Sequence, residues 1–251
     1  MANTKILWCV TALVMGSAAA GRAAAELSVG VAADVLSKYV WRGQSIVNDW
    51  VLQPSASVGY KGLTGSVWGN MDLTGEGVEG GEFNEIDLAL DYSNKVPGFE
   101  TLGYSVGVVH YDFPNTVFPA TDEVYGALTA SVPLSPAVRW YYDFDEIEGS
   151  YVQLALGHTI EKLHAWRDDC YCGLQLGASV AYGTEGYNEG YFGVHQGAWN
   201  DLTVTAGLPF CIGKLTIRPT INYSTLLDED LRAGRAHNDN FWGGVGFAYS
   251  F

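Results

Sequence analysis

Carboxylate side chains alternate with apolar ones along residues 85–92. The carboxylates stand at odd positions and the even positions are large and apolar, with Glu85, Asp87 and Asp91 set against Ile86, Leu88, Leu90 and Tyr92. A strand turns alternate side chains to opposite faces, so one face is acidic and the other apolar. Carboxylates lining a narrow wet channel select small ions by charge. The pattern therefore predicts a strand between water and lipid.

Charged residues fall on the same predicted inward face in other alternating segments. The full set predicted to line a channel is Asp34, Arg42, Glu85, Asp87, Asp91, Glu123, Arg139, Asp143 and Arg218. Acids outnumber bases in this set, which predicts a preference for cations among the small solutes that pass. A second interpretation stays open, in which the arginines pair with the acids and tyrosines fill the remaining space. That barrel would be plugged and non-conducting, with a structural or adhesive role.

The strand pattern is clearest at the C-terminus, in residues 241–251. Large apolar residues alternate with small ones, and aromatic residues stand at both ends of the segment. About ten residues between aromatic ends is the length and pattern of a transmembrane β-strand. The final Phe251 is similar to the closing signature of bacterial outer-membrane barrels. It predicts two partners, outer-membrane lipid and the assembly machinery that recognises the last strand.

About a dozen alternating segments follow one another along residues 26–251. Their connections alternate between compact Gly- or Pro-containing turns and longer polar loops, as in barrels with short periplasmic turns. We therefore predict an all-β fold, a transmembrane antiparallel up-and-down β-barrel of twelve strands in one domain. Ten or fourteen strands remain possible, since the count depends on segment boundaries.

The composition and the N-terminus agree with an envelope protein. Residues 1–25 have a charged start, a short apolar run and a small-residue end at Ala23, Ala24 and Ala25, which predicts a secretory signal peptide and an outer-membrane location. The formal net charge of −15 argues against nucleic acid as a partner. No phosphate loop, dinucleotide fingerprint or Gly-x-Ser-x-Gly motif is present, so no cofactor is expected.

Cysteine and histidine positions give weaker signals. We predict a disulfide between Cys172 and Cys211, with Cys170 as the alternative partner, because both lie in predicted periplasmic turns. A metal site on Cys-Tyr-Cys lacks matching histidines, and no metal is expected. His110 lies on the predicted outward face with Asn84 across from it, but no serine accompanies them, so the chain is not expected to be an enzyme.

One motif resembles a known family. Ser37-Lys38-Tyr39-Val40-Trp41-Arg42-Gly43 resembles the Ser-Asp-Tyr-x-aromatic-Arg-Gly signature of the TorF-like porin family, and Val67-Trp68-Gly69-Asn70 is similar to its second hairpin. The resemblance covers the first quarter of the chain and implies an outer-membrane, porin-like protein without naming its solute. Lys38 stands where the family has an acid, so no role is carried over to it. The matching Arg42 is expected at the channel mouth.

Overall fold

A computed structural model of the chain describes residues 27–251. The predicted signal peptide, residues 1–25, lies outside the described residues. The first half contains nine strands: β1 (Ser28–Leu36), β2 (Tyr39–Trp41), β3 (Gln44–Val47), β4 (Val51–Tyr60), β5 (Leu63–Asp72), β6 (Phe83–Val96), β7 (Phe99–Asp112), β8 (Thr121–Ala130) and β9 (Ala137–Asp143). The second half contains β10 (Gly149–Arg167), β11 (Cys170–Gly183), α1 (Glu185–Phe192), β12 (Ala198–Gly207), β13 (Phe210–Ile212), β14 (Leu215–Leu226), α2 (Glu229–Arg232) and β15 (Asp239–Ser250).

The sheet closes on itself as an antiparallel barrel. Each long strand pairs with the next one in the chain, and β15 returns to pair with β1. The short β13 continues the line of β12 after Pro209 and pairs with both β11 and β14. Counting β12 and β13 as one strand, the wall of the barrel has twelve strands. The small β2–β3 sheet stands apart from this wall. The predicted all-β barrel of twelve antiparallel strands is confirmed.

Side-chain exposure follows the predicted alternation. On β6, Leu88 and Leu90 are about half exposed, whereas Asp87 and Asp91 are buried. A barrel with apolar side chains outside and polar ones inside is stable when lipid surrounds it, because closure pairs every backbone group of the wall. Within residues 27–251, neither helix is long and apolar enough to cross a membrane.

Two predicted boundaries are wrong. The alternation over residues 27–39 predicts a single strand, but β1 ends at Leu36, and the next residues form the separate β2–β3 hairpin. The sequence predicts that the turn containing Cys170 and Cys172 spans residues 161–172, but these residues are paired, because β10 and β11 extend to a tight turn at Asp168 and Asp169. Beyond Ala155, β10 no longer pairs with β9, so this hairpin projects past the turn end of its neighbour.

The longer hairpin also changes the interpretation of the cysteines. Cys170, Cys172 and Cys211 are free thiols in the structure, in place of the predicted disulfide. Cys211 pairs with Tyr171, and Cys172 pairs with Phe210. Neighbouring residues of one strand point to opposite faces, so this register places Cys211 on one face of the sheet and Cys170 and Cys172 on the other. The wall therefore separates the two sulfurs of the predicted pair.

The exposed apolar belt yields a first prediction. Leu88→Arg places a charge on the lipid face and should reduce the free energy of unfolding by about 2–4 kcal/mol. Urea titration of the protein refolded in lipid vesicles measures this. The matched control is Val117→Arg, which adds the same charge to a side chain that is 94% exposed in the loop before β8. Equal effects of the two changes would contradict the assignment of Leu88 to the lipid face.

Candidate functional site

The β2–β3 hairpin folds into the barrel and crosses its lumen. It leaves the wall between β1 and β4, yet its tip reaches β8, which stands almost opposite in the strand order. The tip residues Arg42 and Gly43 both have positive φ, of 45° and 81°. A Cβ on Gly43 would lie 2.7 Å from the Cβ of Asp201 and 2.8 Å from Leu226, so only glycine allows this approach to the wall.

A buried ion pair fixes the tip of the hairpin. The two terminal nitrogens of Arg42 donate to the two carboxylate oxygens of Glu123, at 3.0 and 2.8 Å. The Tyr111 hydroxyl donates to the same carboxylate at 3.0 Å. The side chains of Arg42 and Glu123 are only 7% and 1% exposed. Parallel hydrogen bonds between charged groups are strong and directional, so they fix both the position and the orientation of the hairpin.

Aromatic rings surround the Arg42 guanidinium on its other sides. Its central carbon lies 4.5 Å from the ring centres of Trp41, Tyr141 and Tyr151, and 5.7 Å from that of Tyr187. A guanidinium over the face of an aromatic ring is attracted to it by about 0.5–2 kcal/mol, more when water is excluded. We call Arg42, Glu123 and these four rings the arginine cage.

Helix α1 brings Tyr187 to the cage from the loop between β11 and β12. It packs tightly on the ends of two strands, since a Cβ on Gly149 would collide with the backbone of Tyr187. Asn200 of β12 donates to the Asn188 side chain at 2.8 Å and secures the helix. Burial raises the pKa of the Tyr187 hydroxyl, which is therefore neutral at physiological pH. The loop end of the lumen is thus closed by the hairpin and by α1 together.

The predicted lining residues separate into two groups. Beside Arg42 and Glu123, the buried carboxylates Glu85, Asp87 and Asp143 lie at the loop ends of their strands. Asp143 accepts hydrogen bonds from Thr121 at 2.9 Å and from Tyr191 of α1 at 3.3 Å. Arg42 was expected at the channel mouth, but the structure buries it inside the lumen. We call five acids the carboxylate ring: Glu85, Asp87, Glu123, Asp143 and Asp201.

The other four predicted residues lie outside the carboxylate ring. Asp91 accepts from the Tyr125 hydroxyl at 2.7 Å, and Asp34 lies 3.5 Å from Arg218. Arg139 donates to Gln153 at 3.2 Å. Arg139 and Arg218 line a cavity of about 380 Å³ that extends from the hairpin to the turn before β9. We call this cavity the vestibule.

Asp201 was missed by the sequence analysis although it belongs to the ring. Its carboxylate accepts from the Tyr151 hydroxyl at 2.6 Å and from Thr203 at 3.3 Å. A signal for it was available, because Asp201 has the same parity as the inward residues Thr203 and Thr205 of β12. The alternation predicts a strand over residues 202–208, which begins one residue too late to include Asp201.

The outward histidine has a different neighbour from the one expected. His110 contacts Asp122 at 3.0 Å, whereas Asn84 is buried in the lumen and accepts from Asn70 at 2.7 Å. His110 thus contacts a carboxylate rather than a hydroxyl or thiol. Across residues 27–251, no group of three or more His, Cys, Asp or Glu side chains could hold a metal ion.

The architecture is similar to that of solved outer-membrane porins. The KdgM porin, solved in complex with disordered oligogalacturonate, is 13% identical, with a TM-score of 0.52 over 89% of this chain and 99% of that one. The NanC porin is 12% identical, with a TM-score of 0.55 over 88% of this chain and 98% of that one. No family model matches the chain. No curated protein matches it either. The chain therefore shares the closed antiparallel β-barrel fold of these porins.

The arginine cage gives the second prediction. Arg42→Met leaves Glu123 buried without its counter-charge and should reduce the free energy of unfolding by about 3–5 kcal/mol. The double variant Arg42→Met/Glu123→Gln should lose less free energy of unfolding than the two single variants added together. The reason is that the double variant buries no unpaired charge. Urea titration of all four proteins measures the coupling.

Arg167→Met is the control for this cycle. Arg167 also pairs with a carboxylate, that of Asp169 at 3.6 Å, but both side chains are about two-thirds exposed. Exposed pairs contribute about 0–1 kcal/mol, so this variant should remain close to wild type. Additive effects of the Arg42 and Glu123 variants would show that the ion pair does not hold the hairpin.

Proposed function

We propose that the protein is an outer-membrane porin-like channel for the passive diffusion of small solutes or ions, with a preference for cations. The observation that carries the proposal is a closed barrel that is apolar outside and has a charged, partly open lumen. The resemblance of residues 37–43 to the TorF-like porins supports the same class. The last strand, which pairs with β1 up to Ser250, supplies the signature that the assembly machinery would recognise.

The cation preference follows from the carboxylate ring. The ring contains Glu85, Asp87, Glu123, Asp143 and Asp201, and Arg42 is the cation that reaches it. One arginine cannot neutralise five carboxylates, so the acids left without a counter-charge ionise only when water or cations reach them. A cation that enters the lumen is therefore attracted to the ring, and an anion is repelled.

Passage of solutes requires the β2–β3 hairpin to move. In the structure its tip contacts walls on both sides of the lumen, at Glu123 of β8 and at Asp201 of β12. This same observation favours a second candidate, a non-conducting barrel in which the hairpin is a permanent plug and the loops contact partners. The two functions differ in whether the protein conducts while its hairpin is intact.

The third prediction tests this difference. Leu36 pairs directly with Val51, so a two-residue Asn-Gly turn can replace residues 37–50 without changing the register of the wall. The shortened protein should conduct in larger single-channel steps than the wild type, by several-fold, because the obstruction is gone. Planar-bilayer recording of refolded protein measures both.

A matched loop replacement controls for general damage. Tyr111 pairs with Thr121, so Asn-Gly can likewise replace residues 112–120, a loop that lies outside the arginine cage. That variant should conduct as the wild type does. Conductance only after hairpin removal would support the plugged barrel. No conductance from either folded and inserted protein would refute the channel.

The fourth prediction concerns ion preference. In the hairpin-shortened protein, Glu85→Gln/Asp87→Asn removes two charges from the carboxylate ring and should shift the reversal potential in a salt gradient toward zero. The control Glu100→Gln/Asp169→Asn removes two charges from exposed side chains at the turn end of the barrel. It should leave the reversal potential unchanged. An equal shift in both variants would place the selectivity outside the ring.

A further inference from the structure

The vestibule differs in charge from the carboxylate ring above it. Besides Arg42 at its closed end, two arginines from different strands line it, Arg139 of β9 and Arg218 of β14. Its other polar lining consists largely of amides and hydroxyls, among them Gln153, Gln175 and Thr205. Asp201 borders the vestibule at its closed end, where its oxygens accept from Tyr151 and Thr203. A net acidic protein therefore has a cavity whose charged donors exceed its free carboxylates.

Neither arginine is fully paired. Among residues 27–251, no carboxylate lies within ion-pair distance of Arg139, whose guanidinium donates a hydrogen bond to the neutral Gln153. Arg218 reaches Asp34 only at 3.5 Å, beyond the usual length of a charged hydrogen bond, and its Nε has no partner. Arg218 is nonetheless only 9% exposed. A buried cation in this state has donors left for a ligand.

More unpaired donors lie on the same wall as Arg218. The side-chain nitrogens of Gln175 and Asn222 are buried without a hydrogen-bond partner. Gln175 of β11 is opposite Gly207 of β12, which is opposite Thr220 of β14, between Arg218 and Asn222. A Cβ on Gly207 would lie 3.5 Å from the Gln175 oxygen and 3.6 Å from Arg218, so the glycine leaves a hollow between them.

The chemistry of these groups restricts the ligand. An amide presents either its nitrogen or its oxygen after a half-turn, so Gln175 and Asn222 do not decide its charge. A guanidinium can only donate and is always positive, so both arginines require an acceptor, best an anion. Carboxylate oxygens match the fork of a guanidinium. Two arginines on separate walls suit a solute with a carboxylate at each end.

We propose that the vestibule is a binding site for small dicarboxylates, with Arg139 and Arg218 as its anchors. The solute reaches this site from the turn end of the lumen without passing the carboxylate ring, and the proposal rests on the proposed function only for that route. Binding itself requires no conductance. The carboxylate ring and the vestibule then act in series, the ring attracting cations at the loop end and the vestibule holding an anion below it.

Succinate and its uncharged analogue succinamide are the probes. Saturation-transfer NMR on the refolded protein in detergent detects weak binding directly, and titration gives the dissociation constant. Succinate should bind the wild type, and Arg139→Met and Arg218→Met should each weaken binding at least tenfold. Gln175→Leu, which keeps both arginines and the Asp34 pair, should weaken it less and covers the case in which Arg218→Met fails to fold.

The matched control is Arg167→Met. It removes the same charge from the same end of the barrel, but from a side chain that is 69% exposed outside the vestibule. It should bind succinate as the wild type does. Equal binding by Arg139→Met and Arg167→Met, equal binding of succinamide, or no binding by folded wild type would overturn the proposal. Binding without conductance would refute the channel and leave the site intact, and conductance without binding would do the reverse.

Discussion

Hydrocarbon offers no hydrogen-bond partner to a peptide group, and this constraint decides the architecture. A sheet that crosses lipid has to pair both of its edge strands, so β15 must pair with β1 and the twelve strands must close into a barrel. Closure then creates an interior, and the two-residue period of each strand divides the side chains between lipid and lumen. On β6 this puts Leu88 outside and Asp87 inside without any further requirement. The lumen chemistry is thus a consequence of closing the sheet.

Features of the chain that depend on this period alone could be predicted from the sequence. The barrel, the lipid-facing leucines and the inward carboxylates of β6 each follow from neighbours one or two residues apart. The fate of residues 37–47 could not be predicted in this way, since their alternating aromatics also suit a wall strand. Their folding into the lumen depends on Arg42 meeting Glu123, which is 81 residues away in the chain. The positions of the cysteine sulfurs could not be predicted for a related reason. The register of β11 against β13 decides on which face of the sheet each sulfur lies.

The barrel is not uniformly filled, and the distribution of glycine explains part of this. Gly43 and Gly149 allow the hairpin and α1 to approach the wall, where any Cβ would collide with neighbouring atoms. Gly207 lies in the open half, where a Cβ would make only ordinary contacts. Of these three glycines, two allow close packing at the loop end, and Gly207 leaves space at the turn end. Large aromatic rings complete the packed half, which is why the cavity begins below the arginine cage.

Closure of the lumen and the proposed preference for cations depend on the same side chains. Arg42 supplies the positive charge that allows Glu123 to be buried beside Glu85 and Asp87, so the hairpin acts as a counter-ion of the carboxylate ring. If the hairpin leaves, the ring has to recover that charge from solution, because several carboxylates cannot remain close and ionised in a narrow lumen. Solution cations thus compete with Arg42 for one set of ligands. If the ring attracts dissolved cations strongly enough to select them, a high cation concentration also favours displacement of Arg42 and hence the open position of the hairpin.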